Sequence, residues 1–284
     1  MEKYDFAVRP EDTANALRNI AGALPALQTP EVWKHCLGLI DLTTLNATDT
    51  VGKVQALTER VNRFAAHFAG LPPVAAICVY PALVPAVRKT LTVPSVQIAA
   101  VGAGFPASQT FLRIKCDECR MAAEQGATEI DIVLSLGAFL AGDHAAAAGE
   151  IRQIKQAIGR ARLKVILETG ALTQPQIAEA AFLAMEAGAD FIKTSTGKTE
   201  PAATPEAVWI MAQCIRRFYA RTQRKVGLKP AGGIVSTDDA ALYYAIVREV
   251  LGDEWLTPAL FRFGASRMAN NLLGSITGNA VSYF

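Results

Sequence analysis

The apolar residues of this chain follow two alternating spacings. Short runs rich in Val, Ile and Leu recur at Gly38–Leu45, Val74–Tyr80, Val96–Val101, Glu129–Leu134, Leu163–Glu168, Phe191–Ile192, Lys225–Lys229 and Leu260–Gly264. Between them lie longer segments of helical period. In the first of these, Val51, Val54, Leu57, Val61, Phe64 and Phe68 step by three and four behind a cap at Thr48 or Asp49. Others are predicted to start near Pro81, to span about Thr110 to Glu124, to follow the fourth run as one long alanine-rich helix, and to run on from about Ser266. Eight strand–helix units without a fully polar strand face predict a closed parallel (β/α)8 TIM barrel over residues 38–284. An open doubly wound sheet is the alternative, but no Gly-x-Gly-x-x-Gly turn follows the first run. Residues 1–37, alanine-rich from Glu11 to Gly22 and punctuated by Pro25 and Pro30, are expected to form an N-terminal helical extension to a single catalytic domain.

Composition narrows the function classes. The chain has 284 residues, 51% hydrophobic and 19% charged, with a net charge of +2. So small a net charge offers no electrostatic footprint for nucleic acid or an anionic membrane. The first residues lack the basic start and apolar run of a signal peptide, and no stretch reaches 18 uninterrupted apolar residues. Five cysteines, an odd number, are expected to be reduced thiols of a cytoplasmic protein. Cys116 and Cys119 have metal-ligand spacing, yet no second Cys/His pair completes a zinc site, so no metal is expected.

The charged residues inside the apolar runs carry the chemistry. Alternate residues of a barrel strand point inward. Asp41 lies between Ile40 and Leu42, Asp131 between Ile130 and Ile132, and Lys164 between Leu163 and Val165, while Lys193 follows Ile192 and Lys229 follows Leu228. If the apolar flanks pack under helices, all five charges project into the barrel, most of them near the strand ends where barrel active sites lie. Unpaired, they would be costly to bury. Lysines crowded together depress one another's pKa, so one becomes a free amine able to attack a carbonyl and form a Schiff base. A second constellation is glycine-rich: Gly197-Lys198, Gly232-Gly233 and Gly264-Ala-Ser266 close the sixth, seventh and eighth runs. Loops after the last strands of such barrels present backbone N–H groups to phosphate.

With these residues assembled, the sequence resembles the deoxyribose-phosphate aldolases, Schiff-base enzymes on a (β/α)8 barrel. The resemblance covers about Leu39 to Ser266. It rests on Asp41-Leu-Thr-Thr-Leu45, Ala76-Ile-Cys-Val-Tyr-Pro81, Ala127-Thr-Glu-Ile-Asp-Ile-Val133, Leu163-Lys-Val-Ile-Leu-Glu-Thr-Gly170, Asp190-Phe-Ile-Lys-Thr-Ser-Thr-Gly-Lys198, Gly227-Leu-Lys-Pro-Ala-Gly-Gly233 and Phe263-Gly-Ala-Ser266. It implies reversible cleavage of 2-deoxyribose 5-phosphate to glyceraldehyde 3-phosphate and acetaldehyde, with no cofactor or metal. Lys193 would form the imine, Lys229 would keep it unprotonated, and Asp131 would shuttle protons with Lys229 and a water. Lys164, Asp41 and Thr43 would orient this centre. Thr196, Gly197, Lys198, Gly232, Gly233, Gly264 and Ser266 would hold the substrate and its phosphate. Tyr283 would match the family's mobile C-terminal tyrosine, which assists proton transfer. The family usually has arginine at the position of Val235, a small or hydroxylated residue at Arg267 and glycine at Ser108. Arg267 is therefore expected to replace the missing phosphate cation. The competing readings are a lysine aldolase preferring unphosphorylated aldehydes and a barrel that binds a sugar phosphate without turnover. The expected partners are small molecules and, through the outer helices, further copies of the chain.

Overall fold

The computed structural model describes residues 2–284. Eight short strands, β1 (Ile40–Thr43), β2 (Ala76–Val79), β3 (Gln97–Gly102), β4 (Glu129–Val133), β5 (Arg162–Ile166), β6 (Phe191–Lys193), β7 (Gly227–Lys229) and β8 (Phe263–Ala265), pair in parallel in sequence order, and β8 returns to β1. Between β7 and β8 the ladder thins to bridges at Leu228–Phe261 and Ala231–Gly264, held by Leu228 N–H to Leu260 O at 2.9 Å and Gly264 N–H to Pro230 O at 2.9 Å. Pro230 has no N–H to donate, which is why β7 stops at Lys229. The result is a (β/α)8 barrel.

Helices occupy every connection, and their apolar faces meet the outward residues of the strands. Ile40, Ile77, Ile130, Leu163, Val165, Ile192 and Leu228 are fully buried there. Each such side chain contributes about 1.5–3 kcal/mol by leaving water. The helix after β1, Val51–His67, is capped by Thr50, whose hydroxyl accepts from the Lys53 N–H at 3.2 Å, rather than by Thr48 or Asp49. Asp49 instead accepts from the Thr44 hydroxyl at 2.6 Å and the Asn46 N–H at 2.9 Å, shaping the turn. The long helix expected after the fourth run is two helices, Leu136–Leu140 and His144–Ala157. Gly142 at φ +83 breaks the first, and the Asp143 carboxylate caps the second by accepting from Ala146 N–H at 2.9 Å. Ahead of β1, helices Pro10–Ala23 and Pro30–Leu37 pack on the outer helices Pro205–Thr222, Thr237–Leu251 and Arg267–Thr277. Among the described residues, no helix is long and apolar enough to cross a membrane.

The barrel interior has two unlike halves. On β2 and β3 the fully buried inward residues are small or apolar: Ala76, Cys78, Ala99 and Val101 form a cluster of their own with Leu45, flanked by Tyr80 and Phe105. The space they leave is filled by long charged side chains from the other strands.

Candidate active site

Seven buried ionic side chains meet inside the barrel. Asp131 on β4 is the hub: Oδ2 accepts from Lys193 at 2.9 Å and from Lys229 at 2.8 Å, and Oδ1 accepts from Lys164 at 3.0 Å. Asp41 on β1 accepts from Lys229 at 2.5 Å on the far side. All five charges expected to point inward do so, with Lys193 3% exposed and the other four wholly buried. Lys193 and Lys229 end their strands, whereas Asp131 and Lys164 sit mid-strand, so the cluster has an upper and a lower layer.

Two further members did not emerge from the sequence reading. Glu129, two residues before Asp131 and on the same face of β4, accepts from Lys164 at 2.6 Å. Arg262, just ahead of β8, donates to Glu129 at 2.8 and 3.2 Å and to Asp41. Both were detectable by the same alternation, since Glu129 precedes Ile130 and Arg262 lies between Phe261 and Phe263. Beneath the cluster the Phe191 ring lies 5.9 Å from both Lys164 Nζ and the Arg262 guanidinium carbon.

This environment separates the lysines. Burial, opposed by Asp131 and reinforced by Lys229, pulls the Lys193 amine below the usual lysine range. Burial also acts on Lys229, but Asp131 and Asp41 more than offset it and hold that amine above the usual range. Lys164 is likewise raised by Asp131, Glu129 and Asp41 against burial. Against the same opposition, the three lysines hold Asp131 well below the carboxylate range. Crowding of like charges is thus the lesser cause for Lys193; desolvation leads. The arrangement is a neutral-prone amine hydrogen-bonded to a carboxylate, with a second, charged amine on that carboxylate's other side. Such a set can add an amine to a carbonyl and move protons during the steps that follow.

Above Lys193 opens a cavity of about 690 Å³ at the C-terminal ends of the strands. Thr43, Thr196, Gly197, Lys198, Gly232, Gly233, Gly264, Ser266 and Arg267 all line it; Asp41, Asp131, Lys164 and Lys229 lie below its floor. Gly232, at φ +84, could carry no side chain, because a Cβ there would stand 2.7 Å from the Ala202 methyl and 3.1 Å from Gly197 Cα. The two glycine loops therefore touch backbone to backbone. The Thr196 N–H and hydroxyl donate to Glu168 at 3.0 and 2.6 Å, and the Thr43 hydroxyl donates to Asp41 O at 2.8 Å. Lys198 reaches across the mouth and donates to the Leu45 carbonyl at 2.6 Å, so its ammonium is engaged with the loop after β1.

One expected site residue stands apart from the cavity. Tyr283 is not among the cavity-lining residues: its hydroxyl donates to Arg60 O at 2.7 Å and its ring packs on Phe64, His67 and Phe68. Phe284 lines the cavity in its place. Arg60 and Lys53, seven residues apart on one face of the Val51–His67 helix, also line it. With Lys193, Lys198 and Arg267 they make five basic side chains on a lining whose one acidic side chain, among the described residues, is Asp49.

Comparison with known proteins gives the family. The family model described as "DeoC/LacD family aldolase" matches residues 36–253. The chain belongs to that aldolase family. The deoxyribose-phosphate aldolase of Homo sapiens is 43% identical over 260 residues, covering 86% of this chain and 81% of the relative. That of Bos taurus is 41% identical over the same length and shares. Among solved structures, the tetrameric deoxyribose phosphate aldolase of Aeropyrum pernix superposes with a TM-score of 0.68 over 94% of this chain and 98% of that one; at 24% identity the likeness is one of fold. As an aldolase of this family the protein is a carbon–carbon lyase, and Schiff-base chemistry is typical of its relatives.

Proposed function

We propose that this aldolase cleaves 2-deoxyribose 5-phosphate reversibly to glyceraldehyde 3-phosphate and acetaldehyde through an imine on Lys193. The observation that carries the reading is the contrast among three buried lysines, of which only Lys193 both borders the cavity and has a depressed amine. In this reading the neutral amine attacks C1 of the open-chain sugar. Asp131, recharged by Lys229, protonates the departing hydroxyl and then takes the proton of the C3 hydroxyl as the C2–C3 bond breaks. The protonated imine draws in the electron pair of that bond, and the resulting enamine is reprotonated before water releases acetaldehyde. Lys164, Asp41 and Thr43 hold Asp131 and the loop above it in place. The phosphate lies against Gly197, Gly232, Gly233, Gly264 and Ser266, with Lys198 leaving the Leu45 carbonyl to meet it. Arg267, the first residue of the last barrel helix, supplies the charge that Val235 lacks. Tyr283 serves the acetaldehyde carbon only if the tail shifts.

Borohydride reduction with acetaldehyde tests the chemistry. An adduct on Lys193, absent in Lys193→Met, is expected; no adduct would leave a binding barrel. Turnover of 2-deoxyribose against its 5-phosphate tests the substrate, and Arg267→Ala is expected to raise KM for the phosphorylated sugar alone. Self-association through the outer helices is part of the same proposal, supported by Phe111, 82% exposed, and Ile114, 52% exposed, flanking the start of the Leu112–Glu124 helix. Sedimentation measures it. Four buried thiols and one half-buried, all free, suit a reducing cytosol.

A further inference from the structure

The seven buried charges do not balance. Lys164, Lys193, Lys229 and Arg262 are four cations; Asp41, Glu129 and Asp131 are three carboxylates, so a fully ionised cluster carries +1. An enclosed site of low dielectric resists such an excess. Arginine cannot relieve it, because guanidinium does not deprotonate in proteins. A lysine must, and the contacts decide which. Arg262 touches two carboxylates, Asp41 and Glu129. Lys229 touches two, Asp41 and Asp131. Lys164 touches Glu129 and Asp131 and lies 3.5 Å from Asp41. Lys193 touches Asp131 alone.

We propose that Arg262, seated on Glu129 and Asp41, is a positioning residue that makes Lys193 the free amine of the site, by adding the surplus cation that the three carboxylates cannot accommodate. This rests on the imine reading of Lys193. The groups facing Lys193 directly are Asp131, Lys229 and the Cys78 thiol, which burial keeps neutral. Glu129, Asp41, Lys164 and Arg262 stand behind Asp131 and Lys229 and act through them. Above, the cavity adds Lys53, Arg60, Lys198 and Arg267 against the Asp49 side chain and the α-carboxylate of Phe284, a field still of the same sign as the surplus. The directions of the lysine shifts agree: Lys164 and Lys229 are pushed up and Lys193 down. Arg262 needs no contact with substrate for this role. It lies 1% exposed, on the far side of the acids from the cavity.

The charge count makes predictions that a merely structural role does not. The readout is the pH dependence of borohydride trapping with acetaldehyde, which falls at low pH as Lys193 is protonated. Arg262→Lys keeps the count at four against three and is expected to leave that limb in place. Arg262→Met lowers it to three against three, which lets Lys193 keep its proton. The limb then moves up by about one pH unit or more, and trapping at neutral pH falls roughly tenfold. The double variant Glu129→Gln/Arg262→Met restores the surplus at three against two and is expected to return the limb toward wild type. Glu129→Gln alone, at four against two, moves it to lower pH and serves if Arg262→Met does not fold. An unmoved limb in a folded Arg262→Met, no return in the double variant, or no downward move in Glu129→Gln overturns the proposal. Absence of trapping in the wild type would refute the imine reading itself and is thereby distinguishable.

Discussion

Replacing Asp131 with asparagine separates two roles that one carboxylate combines. The side chain keeps its shape, but three lysine amino groups at 2.8–3.0 Å lose their shared carboxylate, and the new amide points N–H groups at one of them. Removing one partner of a buried ion pair costs about 3–5 kcal/mol. Lys193 can escape part of that cost by losing its proton for good, since Asp131 is what holds its amine up against burial. Thermal unfolding should fall by about 2–4 °C for each kcal/mol that remains. Catalysis should suffer more. Loss of a positioned general acid–base typically removes about 10²–10⁴ in rate, or roughly 3–5 kcal/mol of barrier at 1.36 kcal/mol per tenfold. Two assays applied to the folded variant distinguish the roles. Steady-state cleavage of 2-deoxyribose 5-phosphate is expected to drop by that factor, while the final extent of adduct trapped on Lys193 after long incubation stays near the wild-type value. Turnover within tenfold of wild type would refute the proton-transfer role. Loss of the adduct at equilibrium would refute the idea that Lys193 is a free amine independently of Asp131.

Other perturbations probe the scaffold. Gly227 on β7 faces Phe191 on β6, and a Cβ there would stand 2.3 Å from the ring; Gly227→Ala is expected to destabilise the barrel by about 1–3 kcal/mol through overpacking, measured by denaturant midpoint. Asp41 is held below the carboxylate range because Lys229, Arg262 and Lys164 together outweigh burial. A depressed carboxylate contributes stability that is complete above its unfolded pKa of about 3.9 and is lost as pH falls toward the folded value. The Asp41 contribution should therefore be constant from neutral pH to about pH 5 and shrink below about pH 4, so the acid decline in thermal stability should be less steep in Asp41→Asn. Asn270 binds the tail by accepting from the N–H groups of Tyr283 and Phe284 at 3.0 and 2.9 Å and donating to Phe284 O at 2.9 Å. At about 1 kcal/mol per bond, Asn270→Ala should speed amide exchange at these two residues by roughly a hundredfold, with the barrel's own protection unchanged.

Much of the architecture was legible along the chain because both of its periods are local. A residue's place on a strand or helix face depends on its near neighbours, so each of β1 to β8 lies on its apolar run and overruns it by one residue at most, and the inward direction of Asp41, Asp131, Lys164, Lys193 and Lys229 follows from apolar flanks one residue away. The glycine loops were legible for the same reason, since a turn is a local event. Glu129 and Arg262 obeyed the rule too. They stood at strand entrances, where a charge is ordinarily solvated, and only a parallel register that sets Glu129 beside Arg162 and encloses both ends shows Glu129 and Arg262 to be buried.

What the chain order could not decide was which atoms meet across 30 to more than 200 residues. Lys164 and Lys229 share the residue type and the inward direction of Lys193, yet hold two or more carboxylates where Lys193 holds one. That difference arises from distances between strands far apart in sequence, and with it the choice of nucleophile. The engagement of Lys198 with the Leu45 carbonyl, the seat of Tyr283 on the Val51–His67 helix, and the presence of Arg60 and Phe284 on the cavity wall were hidden for the same reason. A hydrogen bond or a desolvation cost belongs to a place in the folded molecule. Sequence determined which residues could be inside this barrel; closure of the barrel decided which of them had to share a proton.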